Sequence, residues 1–238
     1  MEGSPALAVS GLRREYDGLT ALAGLDLTVR AGECVALIGH NGSGKTTAVR
    51  MIAGLLEPTG GTVRICGANI YDPRESVAAC AALAYVPDNP MLYEDLTVRE
   101  HLELVIAAYG VTADHIDDRI EALLTLLEVD QRQEAFPNQL SRGMRQKLML
   151  ACAIVRPHAV LLLDEPVVGL DPGAQRVLRQ LLIDAKACGE AVLLTTHQLT
   201  FADGVADRAV LLADGVVIEQ GPYAEVIAGE RVYERGLR

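Results

Sequence analysis

No two of the five cysteines (Cys34, Cys66, Cys80, Cys152, Cys188) stand as a C-x-x-C pair, and their odd number and wide spacing suggest neither a disulfide framework nor a zinc site. They read as small core residues of a chain kept in a reducing compartment. Long apolar runs are missing too: an uncharged stretch such as Ser76 to Pro87 falls short of the ~18 residues that a spanning helix needs. Met1 to Ser10 has no basic n-region and does not read as a secretory signal. Positive charge is scarce. Lys plus Arg total 21 against 32 for Asp plus Glu, a formal net charge of −11, the wrong sign for holding nucleic acid by bulk charge. Only three lysines occur (Lys45, Lys147, Lys186), so each is a candidate for a task that arginine cannot perform. Low-complexity blocks and internal repeats are absent as well.

What remains is a globular composition, 50% hydrophobic and 22% charged over 238 residues, enough for one large domain or two small ones with a real core. Short apolar runs alternate with longer helical patterns, the rhythm of a mostly parallel sheet covered on both faces. Leu25, Leu27 and Val29 alternate with polar residues as in a half-buried strand, whereas Cys34 to Ile38 is continuously apolar, as in a central one. Thr97 and Glu100 form a capping box that opens a helix carrying Leu102, Val105 and Ile106, and Asp114 to Leu127 reads as a second helix. These helices lie between a strand at Ala82 to Val86 and another at Val160 to Leu163. Ser141 caps a helix that Pro157 closes. Asp214-Gly215, between Ala209–Leu212 and Val216–Ile218, predicts a hairpin turn.

Gly39-His40-Asn41-Gly42-Ser43-Gly44-Lys45-Thr46 satisfies G-x-x-x-x-G-K-[ST] between a predicted strand and a predicted helix, the context that this phosphate-binding loop requires. Its backbone N–H groups would wrap phosphates at a helix N-terminus, Lys45 would add a point charge, and the Thr46 hydroxyl would ligate Mg²⁺. Gly39, Asn41, Gly42, Ser43, Gly44, Lys45, Thr46 and Thr47 are therefore the expected cradle. Val160-Leu161-Leu162-Leu163-Asp164-Glu165 predicts a buried strand that delivers two adjacent carboxylates at its C-terminal end, where open α/β sheets bind ligands. Alternation along the strand would point them oppositely, one toward Mg²⁺ and one toward the nucleophile.

A third element narrows the class. Leu140-Ser141-Arg142-Gly143-Met144 resembles the L-S-G-G-Q signature of the ATP-binding cassette (ABC) family, which general P-loop ATPases lack. Gly169-Leu170-Asp171-Pro172 resembles its D-loop, His197 its switch histidine, and Tyr16 stands where the family places the aromatic that stacks on adenine. The resemblance covers nearly the whole chain. It implies a single domain over 1–238, an α/β P-loop NTPase with a mostly parallel central sheet, an N-terminal antiparallel portion and a helical subdomain at approximately 90–157 inserted in a RecA-like core. It implies ATP and Mg²⁺ as cofactors, with Glu165, His197 and Lys45 catalytic, Thr46 and Asp164 at the metal, and Ser141 and Gly143 reaching the nucleotide of a second copy.

Two departures matter. Arg142 and Met144 replace a glycine and the glutamine of the signature, and Asp88 occupies the place of the Q-loop glutamine. Asp88 reads either as a further Mg²⁺ ligand or as a cap on the turn before Pro90. An acidic residue there with L-S-x-G-M resembles the ATPases of bacterial ABC-2 type exporters. That implies a homodimer or heterodimer of ATPase subunits driving separate integral-membrane permease subunits from the cytoplasmic face of the cell membrane, without nucleic acid. The rival readings are a non-transport ABC ATPase, acting as an assembly scaffold or on ribosomes, and the ATPase of an importer.

Overall fold

The computed structural model describes residues 4–112 and 115–229. Two long strands open the chain, β1 (Leu7–Tyr16) and β2 (Leu19–Val29), whose buried residues pair across the ladder as Leu7 with Val29, Val9 with Leu27 and Leu12 with Leu25. β3 (Cys34–Ile38) leads through the glycine-rich loop into α1 (Lys45–Ile52). β4 (Gly60–Ile65) and β5 (Ala68–Asn69) complete an antiparallel lobe with β1 and β2. After α2 (Ser76–Ala82) and β6 (Leu83–Val86) comes the helical segment, α3 (Val98–Ala108), α4 (Ile116–Leu126) and α5 (Arg142–Ile154). The chain then alternates through β7 (Val160–Asp164), α6 (Pro172–Ala187), β8 (Ala191–Thr196), the single turn α7 (Leu199–Ala202), β9 (Arg208–Ala213), β10 (Val216–Pro222) and α8 (Tyr223–Ala228).

Among the described residues ten strands form one sheet in the order β5-β4-β1-β2-β10-β9-β3-β8-β7-β6. Its β9-β3-β8-β7-β6 portion is parallel, and the antiparallel lobe joins it through β10, where Val216 pairs with Gly24. The expected α/β architecture is therefore present. Alternation explains why the central strands are continuously apolar. Cys34, Ala36 and Ile38 enter one buried cluster with α3 to α6, while Val35 and Leu37 enter another with α1 and the lobe. Leu102, Ile106, Ile120 and Leu124 of the helical segment belong to the first cluster, so that segment shares a continuous core with the sheet.

Thr97 and Glu100 make the expected reciprocal cap on α3, at 3.3 and 2.8 Å. Asp214 and Gly215 both have positive φ, at 50° and 76°, as a type I′ hairpin turn requires. Two boundaries differ from expectation. Ala82 ends α2 rather than opening β6, and α4 begins at Ile116; Asp114 lies outside the described residues. Each lysine has a specific partner: Lys147 pairs with Glu128 at 3.0 Å, Lys186 bonds the Val205 carbonyl and Asp207 at 2.8 Å, and Lys45 belongs to the site below.

Candidate functional site

The loop between β3 and α1 is fixed from outside. Gly44, at φ +104°, is the residue before α1, and a Cβ there would stand 2.8 Å from the Ala21 carbonyl oxygen, so conformation and space both demand glycine. The Gly215 N–H donates to the Ser43 carbonyl at 2.9 Å while the Gly215 carbonyl accepts from Ala23 at 2.8 Å, so the β9–β10 turn and β2 clamp the loop. Lys45, 5% exposed, curls back to donate to the carbonyls of Gly39 at 2.8 Å and His40 at 3.2 Å.

At the end of β7, Asp164 is fully buried and its Oδ1 accepts from the Thr195 hydroxyl at 2.6 Å and, more weakly, from Thr46 at 3.5 Å. Its Oδ2 is buried without a hydrogen-bond partner. Burial pushes the Asp164 carboxyl above the usual carboxylate range; the Thr195 bond opposes this, and the negative charge of Asp88 adds to it. Glu165 does not continue the strand. Its φ of +47° swings the side chain out by a left-handed turn, so the two carboxylates diverge for that reason rather than by strand alternation. Glu165 Oε2 accepts from His197 Nδ1 at 2.9 Å and from the His197 amide at 3.3 Å. Its Oε1 faces Lys45 Nζ at 3.3 Å as a charge contact without hydrogen-bond alignment.

These groups meet in an open cavity of about 790 Å³, within the size range of small-molecule sites. Of the residues expected from the sequence, Asn41, Gly42, Gly44, Lys45, Thr46, Thr47, Asp88, Glu165 and His197 line it, with Gly39, Ser43 and Asp164 directly behind. Tyr16, Ser141 and Gly143 do not. Tyr16 is 41% exposed with the Arg14 guanidinium 4.4 Å over its ring, and Ser141 caps α5 by accepting from the Met144 amide at 3.2 Å. Leu19, Thr20, Asn89, Arg142, Val168 and Asp214 line the cavity without having been expected there. Asp214 sits in a recognisable turn, but nothing in the sequence places that turn against the loop. Asp88 accepts from the Asn89 side chain at 3.0 Å.

The residues fit a magnesium–nucleotide complex. Asp164 offers a buried carboxylate oxygen with no protein hydrogen-bond partner, its other oxygen touches the Thr46 hydroxyl, and the negative charges of Asp88 and Glu165 act on it, a donor set of the kind that Mg²⁺ takes. Among the described residues no three His, Cys, Asp or Glu converge as a metal cage. Residues 22–168 match the family described as ABC transporter. The chain belongs to that family.

This ABC subunit is 36% identical over 220 residues to the ABC-type transporter ATP-binding protein EcsA of Bacillus subtilis, covering 92% of this chain and 88% of that one. It is 37% identical over 227 residues to the Nod factor export ATP-binding protein I of Ralstonia nicotianae, covering 95% and 70%. A solved structure of the ATP-binding subunit of an ABC transporter superposes with a TM-score of 0.87 at 36% identity over 97% of this chain and 95% of that one. The protein is thus an ATP-binding, ATP-hydrolysing subunit of ABC type. In it, a Cβ on Gly143 would lie 2.8 Å from the Gly169 carbonyl oxygen, so signature and D-loop pack backbone to backbone within one chain. The buried Gln146 of the signature helix reaches the Pro87 carbonyl at 3.4 Å, next to Asp88.

Proposed function

We propose that this subunit hydrolyses ATP with Mg²⁺ between two cassettes and so drives export through separate membrane subunits. The observation that carries the chemistry is the clamp on Glu165, one oxygen against Lys45 and the other against His197. Bound Mg²⁺ would supply charge neutralisation at the phosphates, held by Thr46, Asp164 and Asp88. Glu165 takes the proton of the attacking water, a role worth ~10²–10⁴ in rate. The Glu165 carboxylate only accepts, so His197 Nδ1 carries the proton of that bond. Lys45 exchanges its contact with Glu165 for the phosphates, and the loop amides orient them.

Ser141 and Gly143, at the N-terminus of α5, present backbone donors to the nucleotide of the neighbouring cassette, and Tyr16 gives its exposed ring to adenine. Among the described residues no helix is long and apolar enough to cross a membrane. A cleft of about 350 Å³ between the helical segment and the sheet is lined by Leu55, Tyr85, Val105 and Tyr109, and in the loop after Asp88 Met91 and Tyr93 are 74% and 65% exposed. A short amphipathic helix of a permease fits that surface, at the inner face of the membrane. The L-S-x-G-M signature, Asp88 and the likeness to an export ATP-binding protein support export.

The test is Glu165→Gln in the tagged chain purified with its membrane partner. Nucleotide binding should persist while turnover falls ~10²-fold or more, since an amide cannot take the proton. Wild-type turnover would remove Glu165 as the base. A co-purifying importer-type permease with an extracellular binding protein would overturn export alone.

A further inference from the structure

Thr195 follows four apolar residues in β8, is fully buried, and stands directly opposite Asp164 in the β7–β8 ladder. Its single hydroxyl does two things. It donates to Asp164 Oδ1 at 2.6 Å and accepts the Glu165 amide at 2.9 Å, an amide that also reaches the Thr195 carbonyl at 3.2 Å. The hydroxyl's one hydrogen is spent on the first carboxylate and a lone pair on the backbone of the second. Two consequences follow from this bridge. The Asp164 carboxylate cannot rotate freely, which leaves Oδ2 as the oxygen without a partner. The Glu165 backbone is tethered at the residue with φ +47°, the conformation from which its side chain reaches both Lys45 and His197.

We propose that Thr195 is a positioning residue for ATP hydrolysis, its hydroxyl setting the orientation of Asp164 toward Mg²⁺ and of Glu165 toward the attacking water. The inference rests on the reading of Asp164 and Glu165 given above. Valine has the same shape and suits a buried strand at least as well, so packing alone does not call for a hydroxyl. Outer groups that orient metal ligands are typically worth ~10–100-fold in activity or metal affinity.

The experiment compares Thr195→Val, Thr195→Ser and Thr195→Ala in the full chain. It reads kcat and KM for ATP, nucleotide binding in EDTA, melting temperature, and Mn²⁺ affinity of the nucleotide-loaded protein by electron paramagnetic resonance. Thr195→Val should lower kcat by ~10-fold or more and weaken Mn²⁺ binding by a similar factor, with binding in EDTA unchanged. Thr195→Ser should restore both to within ~3-fold of wild type. Should Thr195→Val not fold, the Ser and Ala variants decide, because both lack the methyl and only Ser keeps the hydroxyl. Equal kcat and Mn²⁺ affinity in those two would overturn the inference, as would wild-type values in Thr195→Val. Asp164→Asn and Glu165→Gln run alongside: if they also leave turnover and metal affinity intact, the reading of the site itself has failed, whereas if they alone are impaired, only the role of Thr195 falls.

Discussion

Replacing Gly143 by alanine asks whether the second signature glycine serves the bound nucleotide or the packing of its own chain. The new methyl would sit 2.8 Å from the Gly169 carbonyl oxygen, well inside the ~3.5 Å optimum for nonbonded heavy atoms. Both partners are backbone, Gly143 in the first turn of α5 and Gly169 in a left-handed turn at φ +86°, so no flexible side chain can give way. Overpacking of this kind costs ~1–3 kcal/mol, and the better helix propensity of alanine returns up to ~1 kcal/mol. A net loss of about 1 kcal/mol lowers the melting temperature of a chain this size by ~2–4 °C, measurable by scanning calorimetry without nucleotide. Gly24→Ala is the control, because a Cβ there meets nothing within 4 Å. A Gly143→Ala protein as stable as wild type but without turnover would refute the packing argument and leave the glycine to the nucleotide alone.

Asp88→Asn keeps a hydrogen-bonding side chain and removes the charge; on the metal reading it raises the Mg²⁺ concentration for half-maximal turnover, and an unchanged Mg²⁺ dependence with normal turnover would leave only the turn role. Thiol titration of the native protein at neutral pH should count the three exposed cysteines, Cys66, Cys80 and Cys188. Burial pushes the thiols of Cys34 and Cys152 up to about 12, so fully buried Cys34 stays unreactive until denaturant exposes it and half-buried Cys152 reacts more slowly than the exposed three; five equally fast thiols in the native state would contradict the packing of α5 and β3.

The phosphate loop and the carboxylate strand were legible because each is a local pattern whose chemistry needs fixed residue types at fixed spacing. The parallel sheet was legible because only strands covered on both faces read as unbroken apolar runs, as Cys34–Ile38 does. Thr195 was not, since the first of the two threonines that end Ala191–Thr196 acquires its meaning only from a register that pairs it with Asp164, 31 residues away in sequence. The left-handed turn at Glu165 escaped for a related reason: glutamate carries no local signal for positive φ, and the conformation is imposed by bonds from the neighbouring strand. The cavity-facing position of Arg142 depends on how α5 lies against the sheet, which no spacing encodes.

The clamp on the phosphate loop also sets an order of events during synthesis. β3 is flanked by β8 and β9, and the Cys34 amide bonds Asp207, 173 residues further along. At ~5–20 residues per second the ribosome needs on the order of 10–40 s to deliver those partners, during which an apolar strand and the loop after it lack both their neighbours and Gly215. Nascent chains therefore cannot form the phosphate loop early, nucleotide cannot assist folding until the last strands emerge, and a cell overproducing this subunit should call on chaperones that shield exposed strands over that interval.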